Sequence, residues 1–564
     1  MKKLVLFSAV ALVAALSSCS GKLGALSADN FTVTPNPLEA HAGMVPATIN
    51  GNFPEKYMKK KAQVTVTPVL KFNGTSLAGT PATFQGEKVT GNGQTISYKV
   101  GGHYTMRTAY AYQEDMAKSE LWLQFAAQVG KKTVSIPEVK VADGVLATSE
   151  LYKRTLTSAA PSYGADAFQH SIEAKQTANI QFLLGQANLR ASELNSDNVK
   201  EFIAKLNEIK ENPEGNVLNN IEVSAYASPD GKYSFNEKLA GKRESVSTDY
   251  LNKQLKKADM TANVDSKYTA EDWEGFQELV GQSNLQDKDM ILRVLSMYQD
   301  PEEREREIRN ISSVYKDLAD GILPQLRRAR LTANYEIVGR SDDEIAAQLK
   351  ADPKELSVEE LLYGATVTND AKEKAAYYTA AMKQYPNDAR AFNNMGALCY
   401  EQGNLADAEK YFTQAQKITG NNAEANANLG LIALANGKKN EAAQYLSKGS
   451  GANGLNEALG ALYISQGQYS QAASTMKDTK SNTAALAQIL NNDYTSAAAT
   501  LSGVKNADAT TDYLKAILSA RTNDSQGVST YLQKAISADS SLKKLAANDL
   551  EFSKYADAVN ALTK

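Results

Sequence analysis

The sequence predicts a multidomain protein with an N-terminal β-sandwich, a central α/β domain that carries a helical insertion, and a C-terminal all-α stack of helical repeats. Three observations predict this architecture. The chain has 564 residues, which allows three or four domains at about 150 residues each. Short runs rich in Val, Thr, Tyr and Phe occupy its first part, and a spacing of 34 residues recurs near its end.

Composition excludes several classes of function. The 61 Lys and Arg residues nearly balance the 64 Asp and Glu residues, so the net charge is -3 and no basic field attracts nucleic acid. Apolar residues make up 43% and charged residues 22%, which is typical of a soluble globular protein. With three His and two Cys, we expect neither a Cys/His zinc site nor a Ser-His or Cys-His nucleophile. The composition therefore favours a non-enzymatic binding or structural protein without metal or cofactor.

The N-terminus has the pattern of an export signal. Lys2 and Lys3 precede an apolar run, Leu4 to Leu16, of 13 residues. A membrane span needs about 20 such residues, whereas this length suits a signal peptide. The run ends in Leu-Ser-Ser-Cys, which resembles the lipobox of bacterial lipoproteins.

The lipobox resemblance implies a location as well as a modification. It implies that residues 1–18 are removed, that Cys19 is acylated, and that residues 19–29 form a tether. An ordinary signal peptide is the alternative. No acidic cluster follows Cys19, and this favours lipid anchoring in the outer membrane with the protein facing the periplasm.

Residues 30–150 have the texture of strands. Runs such as FTVTPNPL, AQVTVTPVLKF and TISYKV alternate apolar and polar residues, and Gly, Pro and Asn separate them. Regular spacing of such strands predicts a β-sandwich. We find no chemistry-bearing constellation here, so the module is expected to be a spacer or an interaction module.

The middle of the chain alternates strand and helix patterns. NIQFLLGQANLR (179–190) is strand-like, and residues 196–209 carry one apolar stripe at helical spacing. IEVSAYASPDG is a strand that runs into a turn, a long helix follows, and RLTANYEIV (330–338) closes the pattern. This order predicts an α/β sandwich over residues 160–340, with a helical insertion at about 268–325.

The turn and helix in this region resemble the peptidoglycan-binding domain of the outer-membrane protein A (OmpA) family. That family's pattern is Gly-x-Thr-Asp-x-x-Gly followed by Asn-x-x-Leu-Ser-x-x-Arg-Ala. The residues in register with it are Gly231, Asn236, Leu239 and Arg243. Lipoproteins of Bacteroidota carry the same YASPDG turn, and the sequence looks like that subgroup.

The resemblance implies a ligand site on the loop and helix. In the family, an Asp and an Arg bind the diaminopimelate of the peptidoglycan stem, since a zwitterionic end needs one anion and one guanidinium. Arg243 is the matching Arg, whereas Ser228 stands at the Asp position and Asp230 follows two residues later. Asn236 is expected to bind the loop backbone. Arg243 is either a ligand-binding residue or part of a retained fold with altered binding. Arg327 and Arg328 either line the same cleft or form a surface basic step.

The last part of the chain repeats itself. Residues 389–422 have small and apolar residues at the spacing that resembles a tetratricopeptide repeat (TPR), and Gly396 and Gly430 lie 34 residues apart. We predict TPR-like helical repeats over 341–564. Stacked hairpins form a concave groove. Four asparagines are expected to face it and bind a partner's peptide backbone or carboxylate, with solvated polar surface as the alternative: Asn393, Asn394, Asn428 and Asn456.

Two functions follow from this organisation. The first is a non-enzymatic cell-envelope lipoprotein that is anchored in the outer membrane, links it to peptidoglycan and scaffolds protein partners through the repeats. The alternative is an accessory subunit of an outer-membrane assembly, secretion or fimbrial machine, whose OmpA-like domain binds protein instead of peptidoglycan. An enzyme is disfavoured because no carboxylate pair, metal cluster or nucleophile constellation stands out.

Overall fold

The computed structural model describes residues 23–285, 287–310 and 312–563. It divides into two compact units, one of residues 1–165 with 368–564 and one of residues 166–367, and each is described by itself. The predicted signal peptide and Cys19 lie outside the described residues. Among the helices in the described ranges, none combines the length and the apolar character that a membrane crossing requires.

The first unit begins with a strand-rich module. Its strands are β1 (Phe31–Thr34), β2 (Leu38–Glu39), β3 (Met44–Phe53), β4 (Ala62–Phe72), β5 (Thr75–Ala78), β6 (Ala82–Gly86), β7 (Gln94–Ile96), β8 (Gly102–Ala111), β9 (Glu120–Val129), β10 (Lys132–Ser135), β11 (Val139–Asp143) and β12 (Val145–Leu146). One sheet has the order β1-β3-β8, and the larger has the order β10-β9-β4-β6-β7, with β11 on β9 and β5 on β4. Side chains of β3, β4, β8 and β9 form a shared apolar core. The strand-rich N-terminal region is thus confirmed.

A connecting segment follows this module. A short helix, α1 (Tyr152–Thr155), leads into residues 156–165, which we call the strap. Tyr152, Leu156 and Ala159 are buried in the same apolar cluster as the helical repeats. The strap is therefore part of the core of the first unit.

The second unit is an α/β sandwich. Its elements are β13 (Ser171–Gln181), α2 (Ala191–Leu194), α3 (Asp197–Glu211), β14 (Asn216–Tyr226), α4 (Tyr233–Lys257), β15 (Val264–Thr269), α5 (Trp273–Gln282), α6 (Lys288–Met297), α7 (Pro301–Asn310), α8 (Ser312–Asp317), a π-helical turn (Leu318–Ile322), α9 (Leu323–Leu326), β16 (Arg328–Val338), α10 (Asp342–Ala351) and α11 (Val358–Val367). The sheet order is β13-β16-β14-β15, in which only β14 and β15 are parallel. Helices α3 and α4 contribute Phe202 and Leu251 to the core beneath it.

Two details of this unit differ from the sequence pattern. The first strand ends at Gln181 instead of extending to residue 190, and the sequence analysis did not identify β15. Helices α5 to α9 occupy the predicted insertion and have their own apolar core around Phe276, Ile291 and Leu323. Helices α10 and α11 group with the α/β unit.

The rest of the first unit is a stack of helical hairpins. Its helices are α12 (Ala371–Gln384), α13 (Ala389–Glu401), α14 (Leu405–Ile418), α15 (Ala423–Ala435), α16 (Lys439–Leu446), α17 (Leu455–Ser465), α18 (Tyr469–Thr475), α19 (Asn482–Leu490), α20 (Tyr494–Ser502), α21 (Ala509–Arg521), α22 (Ser525–Ala538), α23 (Leu542–Asn548) and α24 (Ala556–Thr563). A Cβ at Gly396 would lie 2.7 Å from the ring of Phe412, so the paired helices approach closely only because this residue is Gly. The predicted helical repeats are confirmed, and the exact domain boundaries stay predictions.

Candidate functional site

Three of the four asparagines predicted to face the repeat groove lie together on the inner side of the first helices. Asn393 and Asn394 lie on α13, Asn428 lies on α15, and all three are buried. Asn394 and Asn428 are 34 residues apart and therefore hold equivalent places in successive repeats. Asn456 is exposed, and we call the buried three the asparagine ladder.

The ladder binds the backbone of the strap. The Oδ1 atom of Asn428 accepts from the Ser162 amide at 2.7 Å, and its Nδ2 donates to the Ser162 carbonyl at 2.8 Å. Asn394 does the same at Gly164, with distances of 2.7 Å and 2.9 Å. A carboxamide has one acceptor and two donor hydrogens, so it pairs with both polar groups of one residue. Two asparagines one repeat apart thus bind the backbone of two residues, Ser162 and Gly164, that lie two positions apart in an extended segment.

Asn393 connects the two pairs. Its Nδ2 donates to the Ser162 carbonyl at 2.8 Å and to Oδ1 of Asn394 at 3.1 Å, and its Oδ1 accepts from Asn428 at 3.0 Å. The result is a continuous, buried network of neutral hydrogen-bonding groups. In such surroundings each group left unpaired would lower the stability of the fold. Because every contact of the ladder with the strap is to backbone, the ladder places no demand on strap side chains.

Contacts at the two ends of the strap complete its recognition. The Tyr400 hydroxyl donates to the Leu156 carbonyl at 2.6 Å, and Arg390 Nη1 donates to the Ala165 carbonyl at 3.1 Å. A Cβ at position 164 would lie 2.9 Å from Cγ of Arg390, so this place in the groove admits glycine best. The site therefore selects for an extended backbone with a very small residue at one position.

In the α/β unit, the predicted ligand residues converge on the turn after β14. Asn236, near the start of α4, donates from Nδ2 to the Ser228 carbonyl at 3.1 Å and to the Gly231 carbonyl at 2.9 Å. This is the loop-binding role that the sequence analysis expects of it. The loop Ser228–Gly231 is therefore held in one shape by the helix that follows it.

Arg243 is fully buried, with 0% of its surface exposed. Its Nε donates to the Gln186 carbonyl at 3.0 Å, Nη1 to the Tyr226 carbonyl at 2.8 Å, and Nη2 to the Leu183 carbonyl at 3.1 Å. Burial, and then the like charge of Arg327, lower the pKa of Arg243 to about 10, so the group stays cationic at neutral pH. All three nitrogens of the guanidinium are thus engaged by backbone of the same unit.

Asp230 is also engaged. Arg327 Nη2 lies 3.0 Å from its Oδ2, and the Ser228 hydroxyl donates to its Oδ1. Arg327 Nε donates to the Ser228 hydroxyl at 3.3 Å, so the basic residue before β16 lines this loop. Arg309 on α7 donates to the Asp230 backbone carbonyl at 3.0 Å. The sequence did not predict that the insertion contributes Arg309 to this loop, because nothing distinguishes Arg309 from the other charged residues that alternate along α7.

The cleft beside this loop is small. A cavity of about 10 Å³ lies between the loop and the insertion and is lined in part by Asp230, Trp273 and Glu305. That volume holds about one water molecule. Beside Trp273 in the chain, Asp272 caps α5 and forms a buried ion pair in which its Oδ2 lies 3.0 Å from Arg328 Nη2. This cavity has no space for a peptide stem.

Across residues 23–285, 287–310 and 312–563, no group of three or more His, Cys, Asp or Glu side chains is placed to hold a metal ion. Cys399 is half-buried on α13, and burial raises the pKa of its thiol, which keeps it protonated and weakly reactive.

The comparisons with known proteins bear on the repeats. The tetratricopeptide repeat family model matches residues 389–422, a segment that contains two members of the ladder. A tetratricopeptide repeat protein from Parabacteroides merdae is 14% identical, with 39% of this chain and 90% of that chain covered and a TM-score of 0.28. PilF of Pseudomonas aeruginosa is 16% identical over 39% of this chain and 99% of its own, with a TM-score of 0.27.

A third solved structure is PilW, described as a widely conserved type IV pilus biogenesis factor. It is 17% identical to this chain, the match covers 40% of this chain and 100% of the PilW chain, and the TM-score is 0.27. No curated protein sequence matches the chain significantly. The C-terminal region is thus a TPR region, and such repeats imply a scaffold for protein–protein interaction.

Proposed function

We propose that this chain is a non-enzymatic lipoprotein of a bacterial cell envelope, anchored in the outer membrane through Cys19 and facing the periplasm, where it holds protein partners. The leader and the lipobox resemblance support the anchor, and the TPR region supports the scaffold. Metabolic labelling of cells with an alkyne fatty acid tests the anchor. The wild-type chain is expected to take up label, and Cys19→Ala is expected to take up none.

For the α/β unit we propose protein binding instead of peptidoglycan binding, as in an accessory subunit of an outer-membrane assembly, secretion or fimbrial machine. The observation that carries this choice is the occupied state of the two charged groups: Arg243 is bound by three carbonyls and Asp230 by Arg327. A zwitterionic peptide stem needs a free anion and a free guanidinium fork. In this structure neither the Asp230 carboxylate nor the Arg243 guanidinium is free to bind a ligand.

Two measurements on the full chain test this proposal. In a pull-down with purified sacculi, the wild type is expected to stay in the supernatant. Crosslinking in cells followed by mass spectrometry is expected to recover a stoichiometric protein partner with crosslinks to residues 166–367. Retention on sacculi without such a partner would contradict the proposal.

Peptidoglycan linkage is the second candidate, because Ser228, Asp230 and Asn236 meet at one loop and Arg243 binds the Tyr226 carbonyl just before it. Under this function a ligand ammonium would have to replace Arg327 at Asp230. Arg327→Ala would then increase retention on sacculi, and Asp230→Asn would abolish it. If both variants stay in the supernatant like the wild type, this candidate is excluded.

The role of the asparagine ladder and Asn456 in partner binding stays a prediction. The ladder amides hold the strap, so a partner segment reaches them only by replacing it, whereas Asn456 is exposed. A synthetic peptide of residues 156–165 tests for exchange. Saturable binding of the labelled peptide to the full chain would indicate a groove that opens, and absence of binding would indicate that partners use the outer surfaces of the repeats.

A further inference from the structure

A cluster of large apolar side chains projects from one end of the α/β unit. Leu183 and Leu184 follow β13, and Tyr233 and Phe235 begin α4; their exposed fractions are 47%, 65%, 50% and 54%. Side chains of this size are normally covered, and four together form a patch that calls for a partner. We call these four residues the apolar tip.

The apolar tip is held rigid by contacts already described. The backbone carbonyls of Leu183 and Gln186 accept from Arg243, so the loop after β13 is fixed to α4. The Phe235 ring lies within 4 Å of the position that a Cβ would take at Gly185, so loop and helix residues meet at the surface. The tip is thus a preformed feature, and its exposure is not the result of a loose loop.

Lysines continue from the apolar tip along the same helix. Lys238 and Lys242 lie one and two turns beyond Phe235 on its face of α4, and the positions of Lys253 and Lys256 extend the same line. With Lys232 at the helix start, we call these five the lysine row. All five are exposed, and none forms an ion pair with another described residue. Glu237 and Asp249 are the exposed acids on this helix, and Asp249 lies on the same line between Lys242 and Lys253. Five lysines against these two acids leave the outer surface net basic.

We propose that the apolar tip and the lysine row form a membrane-contact surface, and that its occupant is a bilayer containing anionic phospholipid. Leu, Tyr and Phe insert at the level of the headgroups, where one end of an aromatic ring is apolar and the other wet. Lysines with no internal partner complement lipid phosphates, and their aliphatic stems can lie along the apolar boundary. Charge complementarity thus selects a bilayer as the occupant.

The test is vesicle co-sedimentation with the full chain carrying Cys19→Ala, so that no acyl group contributes. We expect binding to vesicles of phosphatidylethanolamine with 30% phosphatidylglycerol and at least tenfold weaker binding to phosphatidylcholine. Each lysine near an anionic surface contributes about fivefold. Lys238→Glu with Lys242→Glu should therefore weaken binding by tenfold or more, and 0.5 M salt should weaken it similarly. Leu184→Ser with Phe235→Ser should abolish sedimentation.

Matched controls use exposed residues elsewhere. Met297→Ser removes another exposed apolar side chain, and Lys354→Glu with Lys372→Glu reverses two exposed lysines outside the row. Both controls should bind vesicles within about twofold of the parent, and circular dichroism should show unchanged helix content in every variant. Failure of the parent to sediment with anionic vesicles would overturn the proposal. Equal loss in the control and tip variants would overturn it too.

Discussion

The asparagine ladder and the loop at Asp230 both bind chain segments of their own unit, but by different means. In the ladder, neutral carboxamides pair with the backbone of Ser162 and Gly164, two residues of an extended segment. At the loop, charged side chains satisfy one another and the backbone, through Asp230 with Arg327 and Arg243 with three carbonyls.

This difference determines how each site responds to salt, to pH and to a competing partner. A neutral amide pair has no long-range field, so its strength depends on geometry and little on salt or pH. A guanidinium or carboxylate can exchange one partner for another of the same charge, so the pairs at the loop are less bound to one geometry than the amide pairs are. The ladder is therefore the more structural of the two sites, and the loop is the more adaptable.

Substitution of Arg243 is expected to have the largest effect on stability. Arg243→Met should lower the free energy of unfolding of the α/β unit by about 3 to 5 kcal/mol, because it leaves three partly buried carbonyls without a donor. Each unit contains one of the two tryptophans, so a Trp122→Phe background leaves Trp273 to report urea unfolding of this unit. The exposed Arg293→Met is the control and should change stability by less than about 0.5 kcal/mol.

Asn428 tests the ladder. Asn428→Ala should lower the free energy of unfolding of the first unit by about 2 to 4 kcal/mol, because the buried Ser162 amide and Oδ1 of Asn393 lose their partners. The Ser162 carbonyl keeps its bond from Asn393. A Trp273→Phe background leaves Trp122 as the reporter. Asn456→Ala, at an exposed asparagine of the same repeat stack, should be nearly neutral. A loss below about 1 kcal/mol for Asn428→Ala would mean that the ladder does not hold the strap.

A buried carboxylate supplies a pH contrast to the neutral ladder. Asp549 accepts from the Tyr513 hydroxyl at 2.7 Å and the Glu551 amide at 3.0 Å, and burial raises its pKa to about 6. Because the folded form binds the proton more tightly than the unfolded form, Asp549 favours folding most below about pH 4 and loses that contribution as the pH rises through 6. The free energy of unfolding of the wild type should therefore fall by about 2 kcal/mol relative to that of Asp549→Asn as the pH rises over this range. The cost of Asn428→Ala should stay constant from pH 4 to 7, and a change would contradict the neutral assignment.

The ion pair at the loop should give the smallest effect. Asp230→Asn should cost about 1 kcal/mol at low salt, because its partner Arg327 is partly exposed and keeps the Ser228 hydroxyl. In 1 M salt part of that cost should vanish, since screening weakens a pair that solvent still reaches. The cost of Asn428→Ala should not respond to salt. A response of both sites to the same degree would remove the distinction between them.

The repeats were the most predictable part of the fold. Close packing of paired helices requires small residues at fixed places, and this requirement is visible as the 34-residue spacing of Gly396 and Gly430. The same periodicity placed Asn394 and Asn428 on one face. Their occupant could not be predicted, because Ser162 lies 266 residues before Asn428 and its surroundings, AAPSYGA, have the composition of a linker.

The α/β unit was less predictable at its edges. β15 escaped notice because five of its six residues are exposed, so it lacks the apolar alternation of a half-buried strand. β13 was placed too late in the chain, because its first half is polar and exposed whereas the apolar run after it resembles a strand. At the site, Asn236 and the convergence on one loop followed from the motif. The partners of Asp230 and Arg243 depend on tertiary contacts with Arg327 and with the loop after β13.

The position of the strap in the chain has a consequence for synthesis. At roughly 5 to 20 residues per second, the ribosome produces Asn428 some 10 to 50 seconds after Ser162, because 266 residues separate them. During that interval the strap has no ladder to bind, and a closure of such long range is slow. The N-terminal module must therefore wait for the repeats before its unit is complete. A nascent chain released before residue 428 should remain sensitive to protease at the strap, however well its strands have formed.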